Sequence, residues 1–346
     1  MIRLPLTRGM RGMLAQFQGD TADEIWRQAA TALTGDGPFL KQKSRLGPTR
    51  ELLHCTFHLR NPRQRWVLSR RPALNPAFAI AEVIWILQGR DDAAFLNFWN
   101  PLLPKFAGQA ETYHGAYGHR LRKGLGIDQI ERVYRILKAD PTSRQAILQI
   151  WESRLDLPNE DGSPSSLDIP CNVIAMPKVR EGRLEWLQVM RSNDLYLGTP
   201  HNFVQFTTLQ EIMAGWLGLE LGSYVQIADS LHLYEHDMST VSIGLEQRVT
   251  SNPDHLGLPK PEFERVLSAI GDSMDHLRSP DFPRVEFSRK CELGLPDAWQ
   301  NLLRIVAADA ARRHGWVDEM NAAVMGCGNE ILRNIWQAWE QRRVSL

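Results

Sequence analysis

The sequence predicts a single α+β domain. Helix-spaced apolar runs and alternating, strand-like runs both occur along it. No internal repeat, low-complexity tract or clear linker divides its 346 residues. A chain of that length suits one large domain or two ordinary ones and can bury a substantial core. Without a linker, one domain over 1–346 is the reading.

The elements follow in order. Residues 21–34 open with Thr-Ala-Asp-Glu and set Ile25, Trp26, Ala29 and Leu33 on one face, the pattern of a capped amphipathic helix. Residues 45–50 form a turn-rich basic loop, 51–59 alternate as a strand, and Arg60-Asn-Pro-Arg breaks it. From Pro76 to Leu87, Phe78, Ile80, Val83, Ile84 and Leu87 recur at helical spacing around one charge, Glu82. A short helix over 91–99, a loop through Tyr113 and Arg120, a helix near 127–138 and a β-like run over 146–151 come next. Residues 155–167, rich in Pro, Asp, Ser and Gly, read as an exposed loop. Strands over 173–179 and 184–190 flank a turn at Arg180-Glu-Gly182. A helix over 203–217 carries a broad apolar stripe, and 224–233 returns as a strand. Beyond 245 the chain turns polar and Pro-rich, with little visible chemistry, and closes in helices near 296–312 and 316–342.

Lys+Arg and Asp+Glu are both 40, for a formal net charge of zero. No global field marks a nucleic-acid or membrane-surface protein, and no DNA binding is expected. An anionic ligand must be met by local arginines. The N-terminus offers no signal-peptide run, and no window reaches the roughly 18 apolar residues of a membrane span. Cys55, Cys171, Cys291 and Cys327 are scattered without zinc-ligand spacing, so no metal is expected. Free thiols in a cytoplasmic protein are the simplest reading.

The chemistry gathers between Asp168 and Tyr234. Cys171 follows Pro170 at a loop–strand junction, where a thiol can face a cleft and nearby arginines stabilise the thiolate. The other three cysteines lack such company and read as structural. Glu82, inside an apolar helix, should be partly buried, a setting that raises a carboxyl pKa and lets it handle protons near neutrality. Arg45, Arg144 and Arg191 with Ser192 have the groups of a phosphate clamp, although each arginine alone reads as a surface charge. Asn202 is either a helix N-cap or an amide that reads a pyrimidine edge. His232 and Tyr234 share one strand face and either bind a sugar hydroxyl or form a buried, satisfied pair. Together these groups suit a phosphorylated, hydroxyl-bearing small molecule with an electrophilic centre.

The run Arg191-Ser-Asn-Asp-Leu-Tyr-Leu-Gly-Thr-Pro-His-Asn202, the Pro170-Cys171 pair and His232-Leu-Tyr234 resemble the thymidylate synthase family. Glu82-Val-Ile-Trp-Ile-Leu-Gln-Gly89 resembles its glutamate helix, and Gly115-Ala-Tyr117-Gly118 its tyrosine loop. Arg45-Leu-Gly47 and Asp140-Pro-Thr-Ser-Arg144 resemble its two phosphate loops. The resemblance covers roughly 20–240, with 245–346 divergent and mostly helical. It implies a mixed, twisted sheet flanked by helices. It also implies a homodimer acting on a pyrimidine nucleotide monophosphate with methylenetetrahydrofolate as co-substrate. Cys171 would add at C6 of the base, Glu82 would manage protons through water, and Tyr117 would assist loss of the C5 proton. Arg45, Arg191 and Ser192 would hold the phosphate, with Arg144 supplied by the other subunit. Asn202 would read the base, His232 and Tyr234 the sugar, and Asp194 and Gly198 would contact folate.

The sequence departs from the family pattern at several places, of which the last three bear on the second half of that reaction. Asn172 follows the nucleophile where histidine is usual, His201 replaces a phenylalanine, and Gln145 replaces the second arginine of its loop. The strand reaching His232 is one residue longer than usual. Residues 97–113 lack clear matches to the family's tryptophans, and Arg-Arg-Val-Ser-Leu346 is unlike its apolar tail. Hydride transfer, which gives a methyl group, needs a dry site. Water reaching the same intermediate gives a hydroxymethyl group. The expectation is methylation of dUMP, with hydroxymethylation of dUMP, dCMP or CMP its close alternative. A non-catalytic nucleotide- or RNA-binding relative and a cysteine hydrolase are more distant ones.

Overall fold

The protein is described by a computed structural model over residues 14–44, 46–238, 241–243 and 251–344. Its strands are β1 (Gln16–Gly19), β2 (Leu40–Ser44), β3 (Gly47–Leu59), β4 (Arg70–Arg71), β5 (Leu148–Gln149), β6 (Asn172–Arg180), β7 (Arg183–Met190), β8 (Asn193–Asp194), β9 (Glu220–Tyr234) and β10 (Ser242–Ile243). The main sheet runs β1-β3-β9-β7-β6-β5, with β2 also on β3 and β8 also on β9, while β4 and β10 pair separately. It is mixed as expected. β1–β3, β7–β9 and β8–β9 are parallel, and the other pairs in it are antiparallel.

Alternation along the strands buries one face of the sheet. Phe57 of β3 and Tyr224 of β9 meet Phe203 of the Gly198–Leu217 helix at ring distances of 5.7 and 6.4 Å. On the opposite face Leu187, Val189, Val225 and Ile227 remain partly exposed.

The Pro76–Leu87 helix starts cleanly, with Pro76 in its first turn and the Asn75 side chain accepting from Phe78 N at 3.2 Å. It packs against both the Gly198–Leu217 and Asp297–Arg313 helices, so every residue of it except Glu82 is buried. The C-terminal helices therefore wall in the helix that carries Glu82. A buried polar knot ties them down. Asn329 Nδ2 donates to Asn252 Oδ1 and Asp254 Oδ2, and Asn301 Nδ2 donates to Asp254 Oδ1. A second anchor is Arg65, 2% exposed, which pairs with Glu211 and Thr208 of the 198–217 helix.

The extra residue before His232 has a structural answer. Buried positions on β9 slip phase between Ala228 and Leu231, and those on β3 slip between Leu52 and Cys55. His54, at φ 55°, and Asp229 stand opposite each other there, 2.8 Å apart, and the register is the same on either side. Both strands absorb one residue together, so His232 and Tyr234 keep a common face.

Several sequence expectations change in detail. β3 begins at Gly47 inside the expected loop, because β2 pairs back on it as a hairpin. The 198–217 helix begins five residues before 203, which puts Asn202 inside it rather than at its N-cap. The polar stretch beyond 245 contains a Lys260–Leu277 helix, and the last expected helix divides into Val317–Gly326 and Glu330–Val344. Among the described residues, no helix is long and apolar enough to cross a membrane.

Candidate active site

A cleft of about 370 Å³ lies between the Glu82 helix, the tyrosine loop and the 168–205 segment. Cys171, Glu82, Tyr117, Ser192, Asp194, Gly198 and Asn202 all line it. These residues, spread over 120 positions of sequence, are brought together by three local devices.

The first is the turn that presents the nucleophile. Arg191 N donates to Cys171 O at 2.9 Å, Arg191 Nε to Pro170 O at 2.9 Å and Arg191 Nη2 to Ile169 O at 3.1 Å. The guanidinium thus clamps the carbonyls of the two residues that lead into Cys171 and fixes the turn that carries the thiol. The thiols of Cys55, Cys291 and Cys327 are pushed up to about 12, 12 and 11, chiefly by burial. The structural reading of those three holds.

The second is the tyrosine loop. A Cβ on Gly118 would stand 2.3 Å from Ile86 O, so only glycine lets this loop lie on the Glu82 helix. A Cβ on Gly115 would stand 2.9 Å from Asp168 O, and Gly115 N donates to Asp168 Oδ2 at 2.8 Å. Tyr117 is held far above the ordinary phenol range, first by burial and then by the negative charges of Cys171, Asp168 and Glu82. It therefore stays a proton-bearing hydroxyl at neutral pH.

The third is the break between β7 and β8. Both pair with β9, but Arg191 and Ser192 fall in the gap, outside the ladder with β9. Ser192 Oγ lies 3.5 Å from His232 Nδ1, and the His232 and Tyr234 rings are 5.4 Å apart. Asp194 Oδ1 accepts from Tyr196 N and Leu197 N at 2.7 and 2.8 Å, shaping the entry to the helix. Burial pushes its carboxyl up, against the pull of Leu197 N–H and His232. Asn202 Nδ2 donates to Asn193 Oδ1 at 3.1 Å, so a neighbour orients the amide.

Arg144, Arg191, His232 and Tyr234 are not part of the cleft wall, with Arg144 and Arg191 exposed, and Arg45 lies outside the described residues. In the stretch 97–113 the wall is Asn100, Leu103, Phe106, Ala107 and Tyr113, while Trp99 is buried in the core.

Other cleft groups were not singled out from sequence. Asp168 has its carboxyl pushed up by burial, opposed by the Gly115 N–H. Asn193 Nδ2 and Gln205 Oε1 are buried without a hydrogen-bond partner among the described residues. His201 Nδ1 meets Glu82 Oε2 at 2.8 Å, each side chain 17% exposed. His201 was visible as a departure from the family pattern. Its partner, more than a hundred positions away, was not.

Comparison with known proteins places the chain among relatives. The family model described as Thymidylate synthase matches residues 48–275, running past the strand that ends at Tyr234 and through most of the 260–277 helix. A protein named deoxyuridylate hydroxymethyltransferase from Bacillus phage SP01 is 34% identical over 232 residues, covering 64% of this chain and 59% of the relative. Proteins of the same name from Pseudomonas phage M6 and Delftia phage PhiW-14 are 32% and 28% identical, covering 54% and 66% of this chain and 52% and 64% of theirs. The chain thus spans between half and two thirds of the length of these relatives.

Proposed function

The chain belongs to the thymidylate synthase family, and on that premise we propose that it transfers a one-carbon unit to C5 of dUMP and leaves it as a hydroxymethyl group. The observation that carries this reading is the single cleft lined by Cys171, Glu82, Tyr117 and Asn202, with a polar histidine against the glutamate. Methylenetetrahydrofolate would supply carbon at the methylene level. The apolar wall of Trp85, Leu96, Leu103, Phe106 and Leu197 fits its flat rings, beside Asp194 and Gly198. Of the two expected fates, the names of the relatives support hydroxymethylation.

Cys171 Sγ adds at C6 of the base and turns C5 into a nucleophilic, enolate-like carbon. Asn202 reads the pyrimidine edge as donor and acceptor, its orientation fixed by Asn193. Ser192 and Arg191 approach the phosphate, while His232 and Tyr234 approach the sugar. Once C5 carries its new carbon, Tyr117 and Glu82 handle the departing C5 proton. Arg144 completes the phosphate site of a second subunit. Its exposure away from the cleft supports that role, and the partly exposed Leu187, Val189, Val225 and Ile227 support a homodimer through the open sheet face. Four cysteines outside any disulfide suit a cytoplasmic setting.

The test incubates the protein with methylenetetrahydrofolate and, separately, dUMP, dCMP, UMP and CMP. Mass spectrometry of the nucleotide is read with absorbance of the folate. Hydroxymethyl-dUMP with tetrahydrofolate released is the expected result. A methyl product with dihydrofolate overturns the hydroxymethyl fate, and no product from any base overturns catalysis.

A further inference from the structure

The Glu82–His201 contact is unusual in what it leaves unmet. Both Glu82 Oε2 and His201 Nδ1 are buried, they stand 2.8 Å apart, and neither has a hydrogen-bond partner among the described residues. The two atoms are close but not aligned, as catalytic hydrogen bonds commonly are before a ligand is bound. The ring is steadied by Phe78, whose edge it meets at a centroid distance of 5.1 Å. With Nδ1 turned onto the carboxylate, Nε2 is the nitrogen left to meet a molecule in the cleft that Cys171 and Asn202 also line.

Resting on the hydroxymethyl reading, we propose that His201 is the general base that activates the water, with Glu82 orienting the ring and stabilising its cation. A water O–H bond breaks as a C–O bond forms to the exocyclic methylene carbon on C5. The methylene π pair moves into the C4 enolate. That enolate then re-forms C5=C6 and expels Cys171 as thiolate. The water proton rests on His201 Nε2 and returns to solvent. A histidine–carboxylate couple polarises a hydroxyl far better than an apolar ring could, which is the chemical sense of histidine at this position.

The test compares two rates in wild type, His201→Gln and His201→Phe. One is hydroxymethyl-dUMP formation. The other is exchange of the C5 hydrogen of dUMP with solvent in the absence of folate, which reports Cys171 addition without any water step at the new carbon. In either folded variant, product formation is expected to fall about 100-fold or more, with exchange falling less than about tenfold. Parallel loss of both rates, or loss of neither, overturns the role of His201. Failure of the wild-type chain to form a hydroxymethyl product instead overturns the reading on which it rests.

Discussion

Cys171 differs from Cys55, Cys291 and Cys327 in its surroundings more than in its local sequence. It opens on a cleft from a turn whose carbonyls the Arg191 guanidinium holds, whereas the others are buried and their thiols are pushed to about 11–12. A thiol reagent at pH 8 should label Cys171 alone in the folded protein, as peptide mapping would reveal; labelling of a second cysteine before unfolding contradicts this. Cys171→Ala should lower turnover by at least about 1,000-fold, with Tm unchanged within a few degrees. Asp168 makes a prediction about pH. Burial raises its folded pKa, so its contribution to stability is full below the unfolded value and is lost as pH rises through the folded one. Asp168→Asn keeps an acceptor for Gly115 N–H and removes that loss. Its stability should therefore exceed wild type at pH 7, and the difference should shrink towards pH 4, as denaturant titrations at the two pH values would measure.

At the scale of elements, the site depends on how closely two segments approach. The tyrosine loop reaches the Glu82 helix only because Gly118 leaves room above Ile86 O. Gly118→Ala should force the loop outward, lowering kcat by about 100-fold and destabilising the fold by roughly 1–3 kcal/mol. Kinetics together with urea unfolding would check this, and wild-type values for both would refute the packing argument. Much of this architecture was legible in sequence. The apolar run 76–87 with its single charge, the hairpin around Gly182 and the capped helix opening at Thr21 fall where periodicity put them. The helix start at Gly198 was not legible. Gly-Thr-Pro reads as a turn, but Asp194 holding Tyr196 N and Leu197 N lets it become a first helical turn. Nor was the double slip at His54 and Asp229, because a compensated insertion shows only when both strands are seen side by side.

For the molecule as a whole, the proposed dimer predicts that charge on the open face of the sheet is costly. Val225→Lys together with Ile227→Lys should shift the protein from dimer to monomer in light scattering. Turnover should fall with it, because Arg144 would no longer reach a partner's cleft. An active monomer would remove the proposed role of Arg144. The C-terminal helices show a different kind of dependence. They carry little recognisable chemistry, yet through the Asn329–Asp254–Asn301 knot and the 297–313 helix they enclose the helix that bears Glu82.

The sequence alone determined the chemistry on offer. A cysteine after proline, a glutamate in an apolar helix and the Arg-Ser…Asn run are local patterns, and local patterns survive in one dimension. It also determined the α+β class, because period and turn residues are short-range properties. Only the tertiary structure decided which groups meet. It put His201 on Glu82, turned the Arg191 fork onto the turn before Cys171, kept Arg144 out of its own chain's cleft and set the C-terminal third behind the site. The physical reason is that these pairings depend on the relative placement of packed helices and a twisted sheet. Such placement is set by the burial of side chains far apart in the chain rather than by any neighbouring residue.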